Sequence, residues 1–147
     1  MPELEQQEIS DDEIILRRIP NQPDCIKHRP GIGLTATSFA IRNLPGKKGS
    51  SWTRLVQTSP RKLLDQLQLD GISPKGWMVC RIRVSDVRDF RLDVIHLPTE
   101  RDAGHCEIRE TPRQSFSPAI WSKLARRTRI LTAEEVETLQ AGNQLAE

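Results

Sequence analysis

The sequence predicts an α+β fold: a mostly antiparallel sheet of about five to six short strands, one central helix and two C-terminal helices. Three observations predict it. Short runs such as "GWMVCRIRV" (76–84) and "HCEIRE" (105–110) alternate apolar and polar residues with period two. Other segments carry apolar residues at helical spacing behind Ser-Pro or Thr caps. The order is strands, helix, strands, helices, which favours segregated over alternating elements.

The chain has 147 residues, a length suited to a single domain over 13–147 with a core that needs no staples. With three Trp, three Phe and no Tyr, that core must rest on Leu, Ile and Val. Residues 1–13 hold six acids and no Lys or Arg, leaving 22 basic against 14 acidic residues beyond them, a net of +8 on the body. Such a leader, residues 1–12, reads as flexible, solvated and dispensable for folding. The alternative is an intramolecular mimic of a polyanion resting on the basic body.

"EIILRRIP" (13–20) reads as a strand ended by Pro20, with Ile15 and Ile19 on one face and Ile14, Leu16 and Arg18 on the other. A Pro/Gly-rich connection follows over 20–34, then a strand "TATSFAIR" (35–42), an exposed basic turn (43–50) and a strand "SWTRLVQ" (51–57). Ser59 and Pro60 open the central helix, Leu63, Leu64 and Leu67 form its stripe, and Gly71 closes it. In 76–84, Met78, Cys80, Ile82 and Val84 point one way and Trp77, Val79, Arg81 and Arg83 the other. Ser85 caps a short turn, and "LDVIHLP" (92–98) is a strand. "TERDAG" then turns the chain into "HCEIRE", with Cys106 and Ile108 inward and His105, Glu107 and Arg109 outward. Ser117 and Pro118 start a helix whose core face is Ile120, Trp121, Leu124 and Ala125. Thr132 and Glu135 fit the capping box of a last helix that Gly142 can end.

Several chemistries find little footing. No window is long and apolar enough to span a membrane, and the acidic start is wrong for a signal peptide, so a cytoplasmic location is expected. Three irregularly spaced cysteines do not make a disulfide framework. Cys25 and His28 form one imperfect pair without a second, so no metal is expected. Neither a Gly-x-Ser-x-Gly elbow nor a phosphate loop is present, and no small-molecule cofactor is expected.

The candidates that remain are His105, Arg18 and Ser38 for catalysis. His105 could be oriented by Glu107, Arg17 or Arg18, or could simply bond to backbone. The basic residues form a stronger set. Residues 113–129 contain no acid, and Lys123, Arg126, Arg127 and Arg129 follow one another at or near helical spacing. Arg81 and Arg83 add a row with Trp77, which could stack a base.

"LRRIP", "TATSFAIR" and "RVSDVRDFRLDVIHLPTERDAGHCEI" together resemble small, uncharacterised bacterial proteins that open with an R-R-I-P strand and close with a short P-x-H-A-x-I strand. The resemblance spans about residues 14–110, with Cys106 standing where those proteins have a small residue after His. It implies a bacterial source and points at Arg17, Arg18, Ser38, Phe39 and His105, without an activity. A topological analogy extends to RES-type and other ADP-ribosyltransferase-like toxins, whose NAD pocket carries a tyrosine that this chain lacks.

The leading expectation is a non-enzymatic accessory protein that binds nucleic acid, RNA or DNA, or a protein of the same operon through its basic face. By association, its setting would be a multi-component defence or mobile-element system. The alternatives are a toxin-like enzyme, ribonuclease-like or ADP-ribosyltransferase-like, using His105 and Arg18, and a pure protein-interaction module.

Overall fold

Period-two alternation commits each strand to two faces, and helices pack on both faces of this sheet. The computed structural model describes residues 6–20, 49–73 and 75–139. Its elements are β1 (Ile14–Pro20), β2 (Gly49–Arg54), a 3-10 turn (Leu55–Gln57), α1 (Pro60–Leu69), β3 (Trp77–Arg83), α2 (Val84–Asp89), β4 (Asp93–His96), β5 (His105–Arg109), α3 (Pro118–Arg127), β6 (Arg129–Ile130) and α4 (Ala133–Thr138). The six strands form one antiparallel sheet in the order β4-β5-β2-β1-β3-β6. The expected α+β class and strand number are those observed. The expected strand over 35–42 and the turn over 43–48, with Ser38, Phe39, Cys25 and His28, lie outside the described residues.

One sheet face carries Ile15, Ile19, Trp52, Cys80, Ile82 and Cys106, packed beneath α2 and α3. The opposite face carries Ile14, Leu16 and Val79, packed beneath α1 and α4. The parities read from β1, β3 and β5 therefore hold, and β1 and β3 bury apolar residues on both faces. Trp77 is half-buried and packs against the α1/α4 cluster. On α3, Ile120, Leu124 and Ala125 are buried, and Trp121 stacks on Phe116 with ring centroids 4.2 Å apart.

The helix ends follow their sequence signals. Ser59 accepts from the Lys62 N–H, Ser117 from the Ile120 N–H, and Thr132 and Glu135 complete a reciprocal capping box. At the end of α1, Gly71 takes a φ of +77°. Its N–H reaches the Gln68 carbonyl at 3.0 Å, and the Ile72 N–H reaches that of Leu67 at 2.8 Å, the two bonds of a Schellman motif.

Three local expectations change. The strand expected over 51–57 ends at Arg54 and passes into the 3-10 turn. "VSDVRD" is a helix starting at Val84, so Ser85 lies inside it and does not cap it. α3 stops at Arg127, because Thr128 bonds back to the Leu124 carbonyl and Arg129 and Ile130 leave to pair with β3.

The acidic segment also departs from a solvated leader over residues 6–12. Ile9 is only 2 % exposed and joins the core beneath α2 and α3. The Asp11 and Glu13 carbonyls accept from the Ser85 and Val84 N–H groups. Glu13 makes a bidentate pair with Arg54 at 2.7 and 2.9 Å, and Gln7 adds a further acceptor to the same guanidinium. Asp11 pairs with Arg88. One buried isoleucine and charges matched to fixed arginines offset an ordering cost that composition alone makes look prohibitive.

Candidate functional site

α1 lies over β1 and β3 and leaves the β2–β5 half of its sheet face uncovered by any described helix. Between α1 and the chain that links β4 to β5 lies a cleft of about 460 Å³. Its floor follows from register. Leu16, Thr53 and His105 occupy one row across β1, β2 and β5. Directly opposite residues in an antiparallel pair have Cβ atoms about 5 Å apart, so Thr53 and His105 are immediate neighbours. Arg18 is two residues beyond Leu16 on the same face, and Ser51 two residues before Thr53. Lys62, Gln66 and Asp70 wall the cleft from α1, and Arg101 and Asp102 wall it from the linker.

The linker is the "TERDAG" turn, held by its own side chains. Thr99 and Asp102 bond each other's backbones, Asp102 accepts the Gly104 N–H at 3.0 Å, and the Thr53 hydroxyl donates to Asp102 at 2.7 Å. The Gly104 carbonyl accepts from the Arg54 N–H at 2.9 Å, carrying the hairpin against the end of β2. From the opposite face, His96 accepts the Gln7 N–H on Nδ1 and donates Nε2–H to the Ala103 carbonyl at 2.7 Å. The turn is thus tied to both β2 and the N-terminal segment.

Within this frame the ring of His105 is fixed. A carbonyl only accepts, so the 2.9 Å contact between Nδ1 and the Leu97 carbonyl places the proton on Nδ1. Nε2 keeps its lone pair and makes no hydrogen bond among the described residues, while the half-buried ring lines the cleft. Glu107 does not orient the histidine, because it pairs with Arg109 at 3.0 Å. Arg17 lies on the other sheet face, bonded to Ser50 and over the Trp52 ring.

The cleft charges sort into spent and available. Arg101 pairs with Asp70, and Asp102 is committed to Thr53 and Gly104. Arg18 gives one donor to the Leu63 carbonyl at 3.1 Å and retains others. Lys62 is exposed at the rim. The two cations therefore share a hollow whose carboxylates already have partners.

The basic set expected to act together is divided by the sheet. Lys123 and Arg126 are exposed on α3. Arg127 beside them is held by Asp86 at 2.7 Å and lies over Phe90. Arg129 and Arg81 face each other on β6 and β3, on the α1/α4 side, and Arg129 binds Glu135 at 2.9 Å. Arg83 bonds the Asp12 carbonyl at 3.4 Å. Arg18 and His105 both line the cleft, whereas Ser38 lies outside the described residues. Lys62, Thr53 and Asp102 escaped sequence reasoning. Lys62 carries no signal, and Asp102 was visible only as a turn residue.

The two buried thiols are unsuited to chemistry. Burial pushes Cys80 up to about 12, and burial together with nearby Asp102 pushes Cys106 up as well. No group of three His, Cys, Asp or Glu among the described residues could hold a metal ion, and no described helix is long and apolar enough to cross a membrane. No protein-family model matches the chain, and neither does any curated protein or solved structure.

Proposed function

We propose that the protein is a nucleic-acid-binding accessory protein that seats a backbone phosphate in the sheet-face cleft. The observation that carries this reading is the pairing of Arg18 and Lys62 in a concave site whose carboxylates, Asp70 and Asp102, are already engaged. A phosphate needs positive donors on rigid supports, and a strand and a helix supply them here. Lys123 and Arg126 lie on the far side of the sheet and would act as a second patch. Bases would not be read, since the sequence carries no helix-turn-helix, RNP or zinc-finger signature.

The test is a binding titration of labelled single-stranded RNA and DNA at several salt concentrations. Each phosphate neutralised on a single strand contributes roughly −0.7 to the slope of log K against log salt, so R18A/K62A, which strips the seat of one phosphate, should flatten the slope by about 0.7. Sequence preference should be weak. If R126E/R127E abolishes binding and R18A/K62A leaves it unchanged, the α3 patch is the interface and the cleft is not.

A further inference from the structure

We propose that the cleft cleaves single-stranded RNA, with the Nε2 of His105 as the general base. The inference rests on the binding reading above and adds a reaction to it. Three features of the site lead there.

The first is the base. Donation from Nδ1 to the Leu97 carbonyl fixes both the tautomer and the ring plane, which leaves Nε2 as an oriented acceptor lining the cleft. A positioned imidazole with an unengaged ring nitrogen is the commonest general base. The second is charge. Arg18 and Lys62 stand in the same hollow and would stabilise the extra negative charge that builds on a phosphorus under attack. The third is that no described side chain is activated as a nucleophile. The Thr53 hydroxyl, nearest to the imidazole by register, gives its proton to Asp102, and Asp102 is itself locked into the turn by Gly104. Both described cysteines are buried. Among the described residues no hydroxyl, that of Ser51 in the same cleft included, is hydrogen-bonded to Nε2, and a base with cations but no activated nucleophile beside it fits a substrate that brings its own, as the ribose 2′-hydroxyl beside each phosphodiester does.

The step balances as follows. Nε2 takes the 2′-hydroxyl proton while the 2′-oxygen forms a bond to phosphorus. The bond from phosphorus to the 5′-oxygen of the next nucleotide breaks, and its electron pair goes to that oxygen, which takes a proton from water. The products are a 2′,3′-cyclic phosphate and a 5′-hydroxyl end, and the imidazolium returns its proton to solvent. Arg18 and Lys62 stay protonated throughout.

The experiment uses the full chain, a labelled RNA oligonucleotide, the same oligonucleotide with one 2′-deoxy position, and the matching DNA. Wild type should cut the RNA to 2′,3′-cyclic phosphate ends, skip the deoxy position, and bind DNA without cutting it. H105A should cleave 10²- to 10⁴-fold more slowly at saturating enzyme, the usual share of a general base. H105N retains an N–H that can reach the Leu97 carbonyl but supplies no base. It should be folded and equally slow, which separates catalysis from packing. RNA bound but uncut by wild type overturns the catalytic proposal and leaves the binding reading standing. Cleavage that persists in H105N, or that crosses the deoxy position, also overturns it. Absence of RNA binding removes both.

Discussion

At position 104 a side chain would be tight against the end of β2. A Cβ there would stand 3.1 Å from Gln57 Cβ and Thr53 Cγ2 and 3.3 Å from the Arg54 nitrogen, all on the end of β2 or just past it. To admit the methyl group of G104A, the turn or its neighbours on β2 must give by a few tenths of an ångström, beside the Asp102 contact to Thr53. The cost expected for such overpacking is about 1–3 kcal/mol. Thermal or urea unfolding of G104A measures it, and a midpoint equal to wild type would contradict it. The cysteines give a second residue-scale prediction. Cys80 and Cys106 are fully buried and their thiols are pushed upward, so the nucleophilic thiolate is scarce and inaccessible. Neither should react with a thiol reagent in native buffer, and both should react in denaturant, with the modified peptides read by mass spectrometry.

At the scale of elements, α4 is only six residues long and holds its place by its cap and by Val136 and Leu139 against α1. Short helices are marginal without such help. T132A removes the N-cap acceptor and should lower stability by about 1 kcal/mol. The readout is hydrogen exchange of the α4 amides, which should lose protection before the sheet does. Glu135 links this cap to pH. Burial alone would raise its carboxyl, but the Thr132 N–H, the Arg129 guanidinium and the Thr132 hydroxyl outweigh it, and the group titrates below its ordinary value. A carboxylate depressed in the folded state adds stability above its unfolded value, and that stability is lost as pH falls through the folded one. From the ordinary glutamate value of about 4.3 downward, wild type should therefore lose stability that E135Q does not have to lose. Because the carboxylate is only partly buried and its partner Arg129 is exposed, the effect on the acid limb should be small.

The whole molecule is closed by its own N-terminal segment. Residues 6–13 reach the core through Ile9, the sheet through Arg54, α2 through Asp11 and the cleft turn through His96. Removing residues 1–12 should lower the thermal midpoint by several degrees, since each kcal/mol shifts a chain of this size by about 2–4 °C. I9A should reproduce much of that fall through loss of buried side-chain volume. E13A should cost more, about 3–5 kcal/mol, because it leaves the Arg54 guanidinium buried without its carboxylate. Calorimetry on the three variants checks the order, and a deletion with an unchanged midpoint would mean the segment contributes nothing to folding.

Local information in the chain determined the elements and their faces. Ser59-Pro60, Ser117-Pro118 and Thr132 mark helix starts because caps satisfy backbone donors within three residues, and Gly71 marks an end because it accepts a positive φ. Alternation placed Cys80, Cys106 and Ile82 inward because the side-chain period of a strand is two wherever the strand sits. Sequence could not show which strands are neighbours, and the site depends on that. Thr53 and His105 are 52 positions apart and meet only through the β2–β5 register. Lys62 becomes a cleft residue only because α1 covers β1 and β3 and stops short of β5. The acidic segment looked solvated because its composition predicts no core of its own. It is held by Arg54, Arg88 and a gap for one isoleucine, partners that exist only once the sheet has formed. Strand order and burial of charge are long-range pairings, and no periodicity within a window of residues encodes them.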